Sequence, residues 1–65
     1  MDEFEKQIIL AFAENDMHQT NTAKAFNINV NSLNRQLTKI ALKTKYSPYV
    51  FYDLIELLRL AGKEI

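Results

Sequence analysis

A chain of 65 residues without a cysteine has to be held together by apolar packing alone. At this length folding removes only about 60% of the surface that the unfolded chain exposes, so one core supplies a few kcal/mol net. The missing cysteines exclude the disulfides that usually brace so small a domain, and also a thiolate nucleophile and a cysteine-based zinc site. The lone histidine, His18, cannot build a metal site by itself. The lone glycine, Gly62, excludes the glycine-rich loops that cradle phosphates. No cofactor, no metal and no enzymatic activity are therefore expected. Further stabilisation is expected from another chain, either a dimer partner or a longer protein of which this is a piece.

The longest apolar run, Ile8-Ile9-Leu10-Ala11-Phe12-Ala13, falls far short of the roughly 20 residues that cross a bilayer. The start, Met-Asp-Glu-Phe-Glu, is acidic and lacks the basic region of a signal peptide. A cytoplasmic location with no membrane partner is the expectation.

The formal net charge is zero, but the charges are segregated. Residues 1–16 carry Asp2, Glu3, Glu5, Glu14 and Asp16 against Lys6, a net of −4. Residues 17–45 carry Lys24, Arg35, Lys39, Lys43 and Lys45 and no acid, a net of +5. Residues 46–65 return to −1. A one-sign stretch inside a neutral chain is the asymmetry expected where one surface meets a polyanion.

Apolar spacing predicts four helices and no strands, an all-α four-helix domain spanning residues 1–65. The first helix is expected over residues 2–14, with Asp2, Glu3 and Glu5 at its positive end and Phe4, Ile8, Ile9, Phe12 and Ala13 as its stripe. The second is expected over residues 21–26, capped by Thr20, with Ala23 and Phe26 inward and Asn27 as a left-handed turn residue. The third is expected over residues 30–43, capped by Asn29. Leu33, Leu37, Ile40 and Thr44 fall on one side; Asn31, Asn34, Arg35, Thr38 and Lys39 fall on the other, and Leu42 lands among the polar residues. The fourth is expected over residues 48–61, with Ser47 as cap, Pro48 in the first turn and Gly62 as the stop. Its apolar arc of Val50, Phe51, Leu54, Ile55, Leu57, Leu58, Leu60 and Ala61 is wider than one core absorbs.

Residues 20–43 satisfy the demands of a helix-turn-helix. Ala23 is small where two helices cross closely, Asn27 turns the chain four positions later, Ile28 plugs the turn, and Leu33 and Leu37 pin the second helix. That construction holds the second helix proud enough to enter a major groove about 12 Å wide.

At these residues the chain resembles the C-terminal helix-turn-helix domain of PucR/CdaR-type bacterial transcriptional regulators, whose fold is related to the Fis-type DNA-binding domain. The resemblance rests on F-x-E-N at Phe12 to Asn15, T-x-T-A-K-A-F at Thr20 to Phe26, N-S-L-x3-L-x2-I from Asn31 to Ile40, and Ser47-Pro48 with Phe51, Asp53, Leu54 and Glu56 to Leu58. It covers roughly residues 9–61. It implies an all-α domain that binds double-stranded DNA as a dimer or higher assembly, with the third helix as the reader. Members usually carry arginines at the positions held here by Val30, Asn34 and Gln36, whereas this helix keeps only Arg35. Fewer guanidiniums mean fewer contacts to phosphate and guanine.

Asn31, Asn34 and Arg35 are the candidate base contacts, since an amide pairs with adenine and a guanidinium with guanine. Lys24, Thr38, Lys39, Lys43 and Lys45 are the candidate phosphate contacts. Ser32, Thr20 and Thr22 could donate to phosphate from helix starts, although capping is the commoner role. His18 reads as a surface turn residue, Glu56 and Arg59 as a surface ion pair, and Tyr46, Tyr49, Phe51 and Tyr52 as core and interface. A homodimer is expected through Ile55, Leu57 and Leu60 of the fourth helix. The alternative is a protein-interaction module that keeps this fold without DNA and holds its partner through the fourth helix, Leu42 and the tyrosines.

Overall fold

The computed structural model describes residues 1–62 and contains four helices: α1 (Glu3–Glu14), α2 (Gln19–Ala25), α3 (Val30–Thr44) and α4 (Phe51–Leu60). There is no strand among the described residues. α1 packs against each of the other three helices, and α2 packs against α3. Their shared core is Ile8, Ile9 and Phe12 of α1, Ala23 of α2, Leu33, Leu37 and Ile40 of α3, and Leu54, Leu57 and Leu58 of α4. No described helix is long and apolar enough to cross a membrane.

α1 starts in a capping box. The Asp2 carboxylate accepts from the Glu5 N–H at 2.8 Å, and Glu5 Oε1 accepts from the Asp2 N–H at 2.9 Å. Two orphan donors of the first turn are thereby satisfied. The helix ends where Asp16 and Met17 enter the left-handed region, with the Met17 N–H closing onto the Phe12 carbonyl at 2.8 Å.

α2 begins earlier than expected, and its cap is His18 rather than Thr20: the imidazole Nδ1 accepts from the Asn21 N–H at 3.1 Å. Thr22 then lies inside, fully buried, its hydroxyl donating to the His18 carbonyl at 2.8 Å. It has no freedom to reach a phosphate. The turn into α3 agrees with the sequence reading. Asn27 is left-handed at φ 58°, Ile28 packs partly buried on the core, and Asn29 Oδ1 accepts from the Ser32 N–H at 2.7 Å.

α3 closes on another left-handed residue, Lys45 at φ 67°, which lacks the freedom that glycine brings to such a position. α4 starts at Phe51, three residues later than its proline suggested. Pro48 is buried, and residues 47–50 form a turn in which the Val50 N–H donates to the Ser47 carbonyl at 3.1 Å. Asp53 reaches back to accept from the Ser47 N–H at 3.1 Å. Val50 and Phe51 are both exposed, against the expectation that they face in. Gly62, at φ 91°, follows the end of α4 as expected.

Candidate nucleic-acid interface

The outward face of α3 repeats at helical spacing through Asn31, Asn34, Arg35, Thr38, Lys39 and Leu42. These six residues line a shallow open concavity of about 470 Å³. The three candidate base contacts and two of the five candidate phosphate contacts are thus brought together on one surface. No acid lies among them, so Arg35 and Lys39 set its potential. Leu42, 78% exposed, also lines the concavity; its place on the polar side of the helix is visible from the sequence.

The remaining cations do not line the concavity. Lys24 on α2 and Lys45 after α3 are exposed to solvent. Lys43 is a correction: its ammonium sits 3.0 Å from the Glu5 carboxylate of α1 and bonds both oxygens, so its charge is already matched. Glu5 is only 1% exposed and would be an uncompensated buried anion without it. The Asp2 N–H bond, opposed by burial and helped by Lys43, holds the Glu5 carboxyl below its ordinary value.

Asn34 is half-buried and committed to a partner that the sequence did not indicate. The Tyr49 hydroxyl donates to Asn34 Oδ1 at 2.7 Å, and the Tyr49 ring stands edge-on to Phe12. Burial pushes the Tyr49 phenol above its ordinary value. Asn31 and Arg35 carry no such tie among the described residues and are exposed.

The fourth helix also needs correcting. Leu57 is 0% exposed within the single chain, so it belongs to the core and not to a dimer surface. Ile55 is half-buried, and Leu60 is exposed. Of the aromatics expected in core and interface, Tyr46, Tyr49, Phe51 and Tyr52 are all exposed and so stand outside the core, with Phe51 and Tyr52 edge to face at a centroid distance of 5.6 Å. Glu56 and Arg59 form the expected surface pair at 3.2 Å. No protein-family model, curated protein or solved structure matches this chain.

Proposed function

We propose that this chain is a DNA-binding helix-turn-helix domain of a bacterial transcriptional regulator of the PucR/CdaR type, with α3 as the helix that enters the major groove. The observation that carries the reading is the acid-free outward face of α3, where Asn31, Asn34, Arg35, Thr38 and Lys39 share one concavity. An α-helix with its side chains is about 10–12 Å across, which matches the groove. In this reading Arg35 bonds a guanine edge, Asn31 and Asn34 bond further base edges, and Thr38, Lys39, Lys24 and Lys45 hold phosphates. Lys43 is left out because Glu5 already occupies it.

Arg35, Lys39, Lys24 and Lys45 make a light electrostatic grip for one chain. Helix-turn-helix proteins meet this by pairing, which sets two reading helices about 34 Å apart. We infer a homodimer that uses Leu60 and Ile55 of α4 together with the exposed Phe51 and Tyr52, in place of the buried Leu57.

The test is binding of a mixed-sequence duplex at two salt concentrations. Contacts to three or four phosphates per chain give a log–log slope of about −3 to −4. A flat or absent response overturns the reading. It would favour the second one, a protein-interaction module, for which the observation is the exposed apolar group of Tyr46, Val50, Phe51 and Tyr52 around the start of α4.

A further inference from the structure

Asn34 stands in the middle of the outward face of α3, and its amide is not free to turn. The Tyr49 hydroxyl that donates to Asn34 Oδ1 at 2.7 Å lies 15 residues away in the chain. Tyr49 is held in its own right. Its ring meets the core residue Phe12 with centroids 6.2 Å apart at 81°, its N–H donates to the Ser47 hydroxyl at 3.3 Å, and the preceding Pro48 is buried. A phenol titrates at about pH 10, so the hydroxyl keeps its proton at neutral pH and can donate. A carboxamide oxygen accepts and its nitrogen donates. With Oδ1 taken by Tyr49, Nδ2 is the end of the Asn34 amide that makes no hydrogen bond among the described residues, and Asn34 lines the concavity.

We propose that Tyr49 is a positioning residue for base recognition: by holding Oδ1, it presents Nδ2 of Asn34 to the major groove, so that Asn34 reads an acceptor edge such as a purine N7. The inference rests on the DNA-binding reading above. A freely rotating amide offers a donor or an acceptor and tolerates either kind of edge. A held amide discriminates, because guanine, adenine and thymine each present acceptors in the major groove while cytosine presents only its N4 donor. The orientation is fixed before DNA arrives, so no rotamer freedom is lost on binding.

The experiment compares the parent chain with Tyr49→Phe, Asn34→Ala and the double variant. Each is mixed with a duplex pool randomised over about one helical turn, roughly 10 bp, and the bound fraction is sequenced. Affinity for a mixed-sequence duplex and the thermal midpoint are measured alongside. Tyr49→Phe keeps the ring on Phe12 and removes only the hydroxyl. The expected result is unchanged mixed-sequence affinity and melting, with the preference at one base position reduced about five- to tenfold. Asn34→Ala loses preference at that same position, and the double variant loses no more than Asn34→Ala. Full preference retained by Tyr49→Phe would overturn the inference and leave DNA binding standing. So would losses that multiply in the double variant, which would mean that Tyr49 touches DNA itself, or a parent preference for a donor edge at that position. A parent chain that binds no duplex at low salt overturns the DNA reading and this inference with it.

Discussion

The Glu5–Lys43 pair joins the first turn of α1 to the last turn of α3, and removing it tests how this small core is fastened. The Nζ–Oε2 distance is 3.0 Å, with Lys43 47% exposed and Glu5 almost wholly enclosed. At that distance the Coulomb attraction is about 1.4 kcal/mol in bulk water and about 5–6 kcal/mol at an effective dielectric of 20. Lys43 stands half in water and loses side-chain freedom to make the bond, so the net coupling is expected at about 1–2 kcal/mol. The perturbation is a double-mutant cycle of Glu5→Gln and Lys43→Met. Glutamine keeps an acceptor for the Asp2 N–H, and methionine keeps most of the aliphatic stem, so the cycle isolates the charge interaction. Urea unfolding reads the free energies. In a chain this short each kcal/mol also moves the thermal midpoint by about 4–8 °C. The pH dependence carries a sign. The folded Glu5 carboxyl titrates below its ordinary value of 4.5, so its contribution is complete above about 4.5 and is lost as pH falls through the folded value. Lys43→Met should weaken that acid dependence. A coupling under about 0.3 kcal/mol, or an acid limb identical in the parent and Lys43→Met, would refute the reasoning.

Leu37→Ala should cost about 2–5 kcal/mol by opening a cavity among Leu33, Ile40 and the α1 isoleucines; urea unfolding measures it, and a loss below 1 kcal/mol would contradict its full burial. Leu57→Asp should unfold the chain, because the charge would be buried unpaired. Leu60→Asp should instead leave helical circular dichroism intact and yield a monomer in sedimentation, so equal behaviour of the two variants would show that α4 is misassigned. Lys45→Gly should raise stability by about 1 kcal/mol by relieving the left-handed φ of 67°, while lowering the salt slope of DNA binding by about one if Lys45 contacts phosphate; a melt and a titration separate the two effects. Arg35→Ala should weaken specific DNA binding by about 1–3 kcal/mol without altering the melt, and undiminished binding would remove α3 from the interface.

Features written within a few residues of one another were legible in the sequence. The helical period alone assigns Leu33, Leu37 and Ile40 to the core and Asn31, Asn34, Arg35, Thr38 and Lys39 to the opposite face. The Asn29 cap and the left-handed Asn27 also follow locally, because a cap or a turn is decided by groups within about three or four positions. Even at this range local rules compete: His18 took the cap expected of Thr20, and Thr22 turned inward. What only the tertiary structure decided are pairings between distant positions. Glu5 meets Lys43 across 38 residues, and Tyr49 meets Asn34 across 15. No periodicity records such meetings, since they depend on how the helices pack. The same holds for α4, where Pro48 is a valid first-turn residue by its own chemistry but is buried in the turn ahead of the helix. α4 begins only at Phe51, Phe51 and Tyr52 lie exposed, and Leu57 lies in the core with Leu54 and Leu58, because which part of a wide apolar arc is covered depends on where the neighbouring helices pack.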